Sequence, residues 1–496
     1  MKSKPNILLI FTDMQRSDTI AALGNNVIKT PNLDRLVREG TAFTSCYSPS
    51  PVCVPARCCM HYGIYPQKTG LFKNGIMMDD NGKSMASMLE AAGYKTHAVG
   101  KRHFTPERNA LRGFGSIESQ EECTSNPETD DYCKWLKENG YDYYEANGAR
   151  GEMYYVPQVS ALPEKAHPSQ WVGNRSVDFI KESSKEQKPW MLFSSFIHPH
   201  PPFAPPKPWH KLYRSPMMPP PDVPQDSESL HTWINLRQNR YKYRDQGIDH
   251  NLMRVIKAYY YAAISFVDFQ IGKMIKALEE TGELDNTLIV FASDHGEYLG
   301  DYNCFGKRSM HDASSKVPLI ARYPERFKPD VVCENTVSLI DILPTFASVS
   351  GADISRSDYD GEVLSEIADG SVEREFVFSQ FGKNEEGIYM IANKEWKYFY
   401  SAADDMEFLF NRKTDLRETR NLAGNIFSKD ARDRMKKNLL QFLKDNSMDG
   451  AYEESGEGLE WKKYPLMDNR EYRNPDFGLM SQDYPAYEFE LEGYTD

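Results

Sequence analysis

Short, uninterrupted apolar runs alternate along this chain with stretches in which apolar residues recur every three or four positions. Residues 6–12 form the first run, apolar from Ile7 to Phe11. Its length and continuity predict a strand buried on both faces. Thr30 and Pro31 then supply a cap and a first-turn proline, Leu33, Leu36 and Val37 share one face, and Gly40 marks the helix end. Ser84 caps a second helix carrying Met85, Met88 and Leu89, which stops at Gly93. Residues 95–100, 189–197, 286–293 and 317–323 read as further strands. Residues 254–281 predict a long amphipathic helix, striped by Val255, Ala263, Val267, Ile271, Met274 and Leu278 and stopped by Gly282. Strands and helices in this alternation predict an α/β fold with a central, mostly parallel sheet flanked by helices.

The texture changes twice. Residues 199–224 are proline-rich and read as a loop excursion. From about 371 the apolar runs become short and closely spaced, at 375–380, 389–392, 395–400 and 407–410, with a helix near 429–444. This predicts a smaller α+β domain with an antiparallel sheet. The expected division is a catalytic α/β domain over 1–370 and a C-terminal subdomain over 371–496. The latter ends in an acidic, Tyr-rich tail that can wrap over the domain or the mouth of a site.

Charge narrows the partners. The 496 residues carry 72 acidic and 59 basic side chains, a net charge of −13. A duplex nucleic acid needs a basic face and is excluded as a partner. An anionic substrate requires a local cationic pocket working against the global charge. No apolar run approaches the roughly 20 residues that span a bilayer, so no membrane partner is expected. The first residues lead directly into the apolar run at 6–12, which reads as a core strand rather than a secretory signal. Eight cysteines in so long a chain form neither a disulfide scaffold nor paired CxxC zinc motifs. A reducing, cytoplasmic setting is expected, or a periplasmic or secreted one if a signal has been removed.

The chemistry gathers at strand ends, where ligands bind in open α/β sheets. Asp13 follows the first strand. Lys101 and His103 follow 95–100, His198 and His200 follow 189–197, and Asp294 and His295 follow 286–293. One strand-end Asp is commonly a helix cap. Four endings with ionisable groups point to a shared metal or anion site. The segment 49–59 is Pro-Ser-Pro-Val-Cys-Val-Pro-Ala-Arg-Cys-Cys, a turn entering a helix. Arg57 lies one helical turn beyond Cys53, so its charge can face Cys53 and an anion beside it. On these residues alone a simply buried Cys53 is the favoured reading.

Further motifs extend the pattern. They are Pro5-Asn6-Ile7-Leu8-Leu9-Ile10-Phe11-Thr12-Asp13, Thr30-Pro31-Asn32-Leu33-Asp34-Arg35-Leu36, Cys53-Val54-Pro55-Ala56-Arg57 with Gly63-Ile64-Tyr65-Pro66, and Gly100-Lys101-Arg102-His103-Phe104. Ser293-Asp294-His295-Gly296-Glu297, Val317-Pro318-Leu319-Ile320 and Asp415-Leu416-Arg417-Glu418-Thr419-Arg420-Asn421-Leu422 complete it. In this order, from residue 5 to about 425, they resemble the formylglycine-dependent sulfatases of the alkaline phosphatase superfamily.

The resemblance implies an alkaline-phosphatase-like large domain, hydrolysis of sulfate monoesters, and oxidation of Cys53 to formylglycine by a maturation enzyme. The hydrated aldehyde has two hydroxyls. One attacks sulfur and releases the alcohol, and the other loses its proton and expels sulfate. The implied metal ligands are Asp13, modified Cys53, Asp294 and His295, and mostly oxygen donors favour Ca²⁺, with Mg²⁺ second. Arg57 is expected to hold the formylglycine side chain, Lys101 to bind a sulfate oxygen, and His103 to take the diol proton. His198 and Lys307 are expected at the leaving-group oxygen, where one donates a proton. His200 and His311 are candidates for substrate contact, Arg102 is expected to be peripheral, and Cys58-Cys59 to be a packed helix face. Two departures from the pattern stand out. Met14 occupies a position the family commonly gives to Asp or Gln and serves a hard cation poorly. His295 stands where many members have Asn, which weakens a strict preference for Ca²⁺.

A sulfated carbohydrate is the expected substrate, with the aromatic-rich loop 199–213 and the Tyr-rich tail as stacking surfaces. Aryl or small alkyl sulfates come next. A phosphonate monoester or phosphodiester hydrolase with the same machinery is the second reading. A non-catalytic sugar- or anion-binding protein on this fold is the alternative of another class, against which the completeness of the motif set speaks. An oligomer is possible, with no clear signal for one.

Overall fold

The computed structural model describes residues 4–107, 109–122, 127–141, 146–150, 154–243, 249–456 and 458–466. The tail beyond residue 466 lies outside the described residues. An eight-stranded sheet forms the centre: β1 (Asn6–Asp13), β2 (Thr41–Phe43), β3 (Lys95–Gly100), β4 (Ser116–Ser119), β5 (Trp190–Pro199), β6 (Thr287–Ser293), β7 (Leu319–Arg322) and β8 (Val331–Cys333), in the order β8-β2-β7-β6-β1-β5-β3-β4. Its pairings are parallel except those of β7, which runs antiparallel to β2 and β6. The sheet is therefore mixed.

β1 shows why the apolar runs are continuous. Every residue from Asn6 to Asp13 is buried, because successive side chains enter opposite cores. Leu8 and Ile10 pack into a layer with α1 (Pro31–Glu39), α3 (Pro168–Ser183) and α5 (His250–Glu280), through Leu33, Trp171, Ile180, Ile271 and Leu278. Ile7, Leu9 and Phe11 enter the opposite layer, with Val54 and Cys58 of α2 (Cys53–Tyr62) and with Met88, Leu89 and Phe346. Cys58 and Cys59 are both fully buried, a packed helix face.

The helix expected at 254–281 is α5, beginning four residues earlier because Asp249 caps it through the amides of Asn251 and Leu252. The run at 317–323 divides. Lys316–Val317 pairs with Cys46–Tyr47 in a small separate sheet, and β7 joins the large one. Pro318 lies at the break, where it offers no amide to a ladder. A shorter helix, α4 (Trp233–Tyr243), follows the proline-rich segment.

The C-terminal region forms an antiparallel sheet, β9 (Val377–Phe381), β10 (Ile388–Ala392), β11 (Trp396–Ser401) and β12 (Met406–Asn411), in sequential order. One face packs Met390, Phe399 and Phe408 against Tyr47, Trp233 and Tyr298 of the preceding region. The other packs Ile391, Tyr398 and Leu409 against Met435, Leu439 and Leu443 of α6 (Lys429–Asp445). Among the described residues no helix is long and apolar enough to cross a membrane.

Candidate active site

β6, β1, β5 and β3 are neighbours in the sheet, so their carboxyl ends adjoin. Asp13 closes β1, Asp294 and His295 follow β6, His198 lies in β5 with His200 just beyond, and Lys101 and His103 follow β3. Gly100 makes the last approach possible. It has φ 92°, and a Cβ there would overlap the Ser195 carbonyl of β5. Cys53 is the first residue of α2, at the helix end that carries partial positive charge.

Ligand atoms of Asp13, Cys53, Asp294 and His295 lie within 4.8 Å of one another, and all four residues are buried. The Cys53 sulfur is 3.3 Å from His295 Nε2, 3.8 Å from Asp13 Oδ1 and 2.9 Å from Lys307 Nζ. Two carboxylates, a histidine nitrogen and a cysteine position that carries oxygen once oxidised suit a divalent cation. These residues therefore fit the group. Met14 contributes through its backbone: its amide donates to Asp294 Oδ1 at 3.0 Å from a left-handed conformation, φ 67°.

The cations divide their work. Arg57, 1% exposed, donates through Nε to Asp294 at 3.0 Å and through Nη2 to Asp13 at 3.2 Å. Its Nη1 reaches the Lys101 carbonyl at 2.8 Å and Ser195 Oγ at 3.0 Å. With residue 53 as cysteine, the bonds of Arg57 go to the two carboxylates beside it rather than to the Cys53 side chain. Lys101 Nζ is 2.6 Å from both Asp13 and Glu122. Lys307 is the lysine that reaches Cys53, and its Nζ is also 3.2 Å from His295 Nε2. Burial pushes the Asp13 carboxyl up, yet Lys101, His200, Lys307 and Arg57 hold it well below the usual carboxylate range. Burial and Asp13 push the Cys53 thiol up, and Lys307, Lys101 and His295 overcome them, so it ionises well below its ordinary value.

The histidines differ. His198 Nδ1 bonds Ser169 Oγ at 3.1 Å, and its Nε2 is buried without a partner among the described residues. Burial and His200 lower His198 to about 3, so it is neutral at pH 7. His200 is held at Nδ1 by the Pro201 carbonyl at 2.7 Å and lies 3.4 Å from Glu122; burial brings it to about 4. His103 sits at φ 57° with its amide on Glu121 and its Nδ1 buried and unpartnered among the described residues. His311 is placed elsewhere. Its Nδ1 bonds the Tyr298 hydroxyl at 2.7 Å, and its ring packs on Tyr302, Phe399 and Phe410 beneath the C-terminal sheet. That aromatic surround corrects the expectation of substrate contact. Arg102 is fully buried, and its backbone amide donates to Glu121 at 3.0 Å.

Sequence reasoning missed Glu122, Ser169, Ser195 and Gln238. Glu122 follows β4, a strand of four residues with only one apolar side chain, so the signal that flags a strand end is missing.

The Sulfatase family model matches residues 5–352. The chain belongs to the sulfatase family. A second model, the C-terminal region of N-sulphoglucosamine sulphohydrolase, matches residues 300–445. The sulfatase is 30% identical to an arylsulfatase of Clostridium perfringens, over 89% of this chain and 94% of that one. It is 24% identical to an N-acetylglucosamine-6-O-sulfatase of Bacteroides thetaiotaomicron, over 89% and 86%. The solved structure of a phosphonate monoester hydrolase of Agrobacterium radiobacter shares the fold, with TM-score 0.75 and 23% identity over 93% of this chain and 100% of that chain. The sulfatase is thus a sulfuric ester hydrolase of a family that uses a metal ion and formylglycine.

Proposed function

We propose that this sulfatase hydrolyses sulfate monoesters of carbohydrates through a formylglycine made from Cys53. The observation that carries the reading is the meeting of Cys53, at a helix N-terminus, with Asp13, Asp294 and His295 within 4.8 Å. Asp13, modified Cys53, Asp294 and His295 would hold the cation, Ca²⁺ by preference and Mg²⁺ second. When bound, cation and aldehyde together supply an activated oxygen nucleophile at neutral pH.

The chain's own residues supply the remainder. Arg57 orients the carboxylates of Asp13 and Asp294 and keeps them from repelling one another. Lys101 and Lys307 bring positive charge to the side-chain atom of residue 53, where charge grows on the sulfate oxygens. The neutral His198 presents Nε2 to the leaving-group oxygen as a hydrogen-bonding group. Proton delivery there falls to Lys307 Nζ. His103, with Nδ1 uncommitted, takes the proton that releases sulfate, and His200 contacts substrate. A maturation enzyme must act on the Cys53 segment before helix α2 buries it. The catalytic domain is assigned to residues 1–370 and the smaller domain to 371–496, in a cytoplasmic protein.

The carbohydrate assignment is supported by relatives named for N-acetylglucosamine-6-O-sulfate and ulvan. A screen of defined sulfated mono- and disaccharides with matured enzyme tests it; cleavage of aryl sulfates alone would sink it. A second reading, phosphonate monoester or phosphodiester hydrolysis, is favoured by the shared fold of the Agrobacterium enzyme. Matched aryl sulfates and aryl phosphonates decide between the two by relative kcat/KM. Peptide mass analysis of the Cys53 segment from the native host reports maturation without turnover. An intact thiol there would leave only a binding protein.

A further inference from the structure

A second cation stands beside Lys307. Arg308 is 4% exposed and has a left-handed backbone, φ 82°, a strained conformation for a residue with a side chain. Two elements hold it there. Its amide donates to the Pro51 carbonyl at 3.0 Å, two residues ahead of Cys53. On the other side Gln238 of α4, itself buried, clasps the pair. Gln238 Oε1 accepts from the Lys307 amide at 3.1 Å and from Arg308 Nη1 at 2.9 Å, and Gln238 Nε2 donates to the Lys307 carbonyl. Gly306 leaves room for this amide, since a Cβ there would overlap Gln238 Oε1.

The partners of the buried cations separate their roles. Arg57 ends on Asp13 and Asp294, and Lys101 on Asp13 and Glu122. Lys307 reaches the Cys53 sulfur. The Arg308 guanidinium has one neutral amide as its side-chain partner, and no described carboxylate pairs with it. Burial disfavours its charge; Cys53, Tyr154, Tyr155 and Glu297 favour it from further off. A desolvated guanidinium in this state is costly until an oxyanion completes it, and its planar fork suits sulfate and carboxylate. Arg308 makes no hydrogen bond to Cys53, whereas Lys307 does, so it stands one step out from the reacting group.

We propose that Arg308, held by Gln238, is a specificity residue that binds a second anionic group, sulfate or carboxylate, on the alcohol side of the ester. The sulfatase then prefers polyanionic substrates and rejects cationic alcohols. This rests on the sulfate-ester reading above.

The test uses aryl sulfates bearing a carboxylate, a neutral hydroxymethyl or a trimethylammonium substituent, with wild-type, Arg308→Gln and Arg308→Lys enzymes. Taking the ratio to wild type cancels the differing leaving groups. For Arg308→Gln, kcat/KM is expected to fall at least about tenfold on the carboxylate, change less than about twofold on the neutral ester, and rise on the ammonium ester. Arg308→Lys should keep part of the preference. Gln238→Met should lose the preference and lower kcat on all three, because Lys307 is released as well. Equal losses for Arg308→Gln on all three esters, or no change, would overturn the proposal. Calorimetry of the carboxylated ester with Cys53→Ala and with Cys53→Ala/Arg308→Gln reads the same contact without turnover; equal affinities would also overturn it. If wild type cleaves no sulfate ester, the sulfate-ester reading fails by itself. The calorimetry and the same charge series built on aryl phosphonates then still decide for or against Arg308.

Discussion

Two regions of this sulfatase bury clusters of charge, and they use them in opposite ways. In the active-site cluster, groups converge on one atom, the side chain of Cys53, and both His198 Nε2 and His103 Nδ1 are left without partners among the described residues. In the junction cluster, beneath the C-terminal sheet, the carboxylates end on lysines. Lys397 of β11, fully buried, pairs with Asp312 at 2.7 Å and with Glu418. Glu418 accepts from the Asp312 amide at 2.6 Å, and Tyr47 donates to Asp312 at 3.0 Å. Arg412 lies over the Tyr47 ring and bonds Ser45. Burial and displaced pKa values occur in both, so neither property separates function from structure. What separates them is where the bonding capacity points. The junction closes on itself and ties two sheets together; the site keeps capacity aimed at a ligand.

The sharpest way to break the contrast is at its centre. Cys53→Ala should reduce turnover by roughly 10⁴-fold or more while the folded enzyme survives, with circular dichroism and thermal melting as controls. Retained hydrolysis would remove Cys53 from the chemistry. Next in size is Arg57→Met, which takes the guanidinium from two buried carboxylates and leaves Asp13 to Lys101 alone. A turnover loss of about 10²–10³-fold and a stability loss of about 3–5 kcal/mol should appear together. Arg57→Lys should recover little, since one ammonium cannot span Asp13 and Asp294. Lys397→Met tests the other pole. It should cost about 3–5 kcal/mol of stability, by leaving Glu418 without its cation and Asp312 with Lys316 alone, with kcat unchanged per folded molecule well below the melting temperature. Lost kcat at unchanged melting temperature would mean that the junction is not merely a tie.

The legible parts of the molecule are those where one residue's neighbours are set by a regular element. Continuous apolar runs mark β1, β5 and β6 because both faces are buried, and the groups that follow them stand out for that reason. Residues reached through irregular backbone were not legible from local pattern, and Lys307 was placed by resemblance alone. Lys307 and His311 are four residues apart, yet one enters the site and the other an aromatic pocket, because left-handed Arg308 turns the chain between them. Arg57 is one helical turn from Cys53 in sequence, but its long side chain passes behind that residue to Asp13 and Asp294. Gln238 lies on a helix with no clear apolar stripe, and nothing local announces that its amide grips residues some seventy positions away.

The smallest expected effect is the finest probe of the junction. Burial, then Asp312, pushes the Glu418 carboxyl up to about 7 from an ordinary 4.5. An unfolded chain releases that proton near 4.5, so between about 4.5 and 7 the folded state binds more protons. Stability from this group therefore falls as pH rises through that window and levels off above it. Asp312 acts in the opposite sense. Although burial pushes it up, Lys397, Lys316 and Arg412 hold it well below its ordinary value, so its contribution is present above about pH 4 and is lost only in acid. The two carboxyls share Lys397 and titrate as a pair. Glu418→Gln keeps an acceptor for the Asp312 amide and removes the titration. Its melting temperature should vary less than wild type's between pH 5 and 7 and gain on it by roughly 2–4 °C above pH 7. Parallel curves for the two proteins would place the proton elsewhere in the junction. The active-site cluster should be indifferent to the exchange, with the same pH dependence of kcat/KM in both proteins, since no bond described for Glu418 reaches Cys53 or its neighbours.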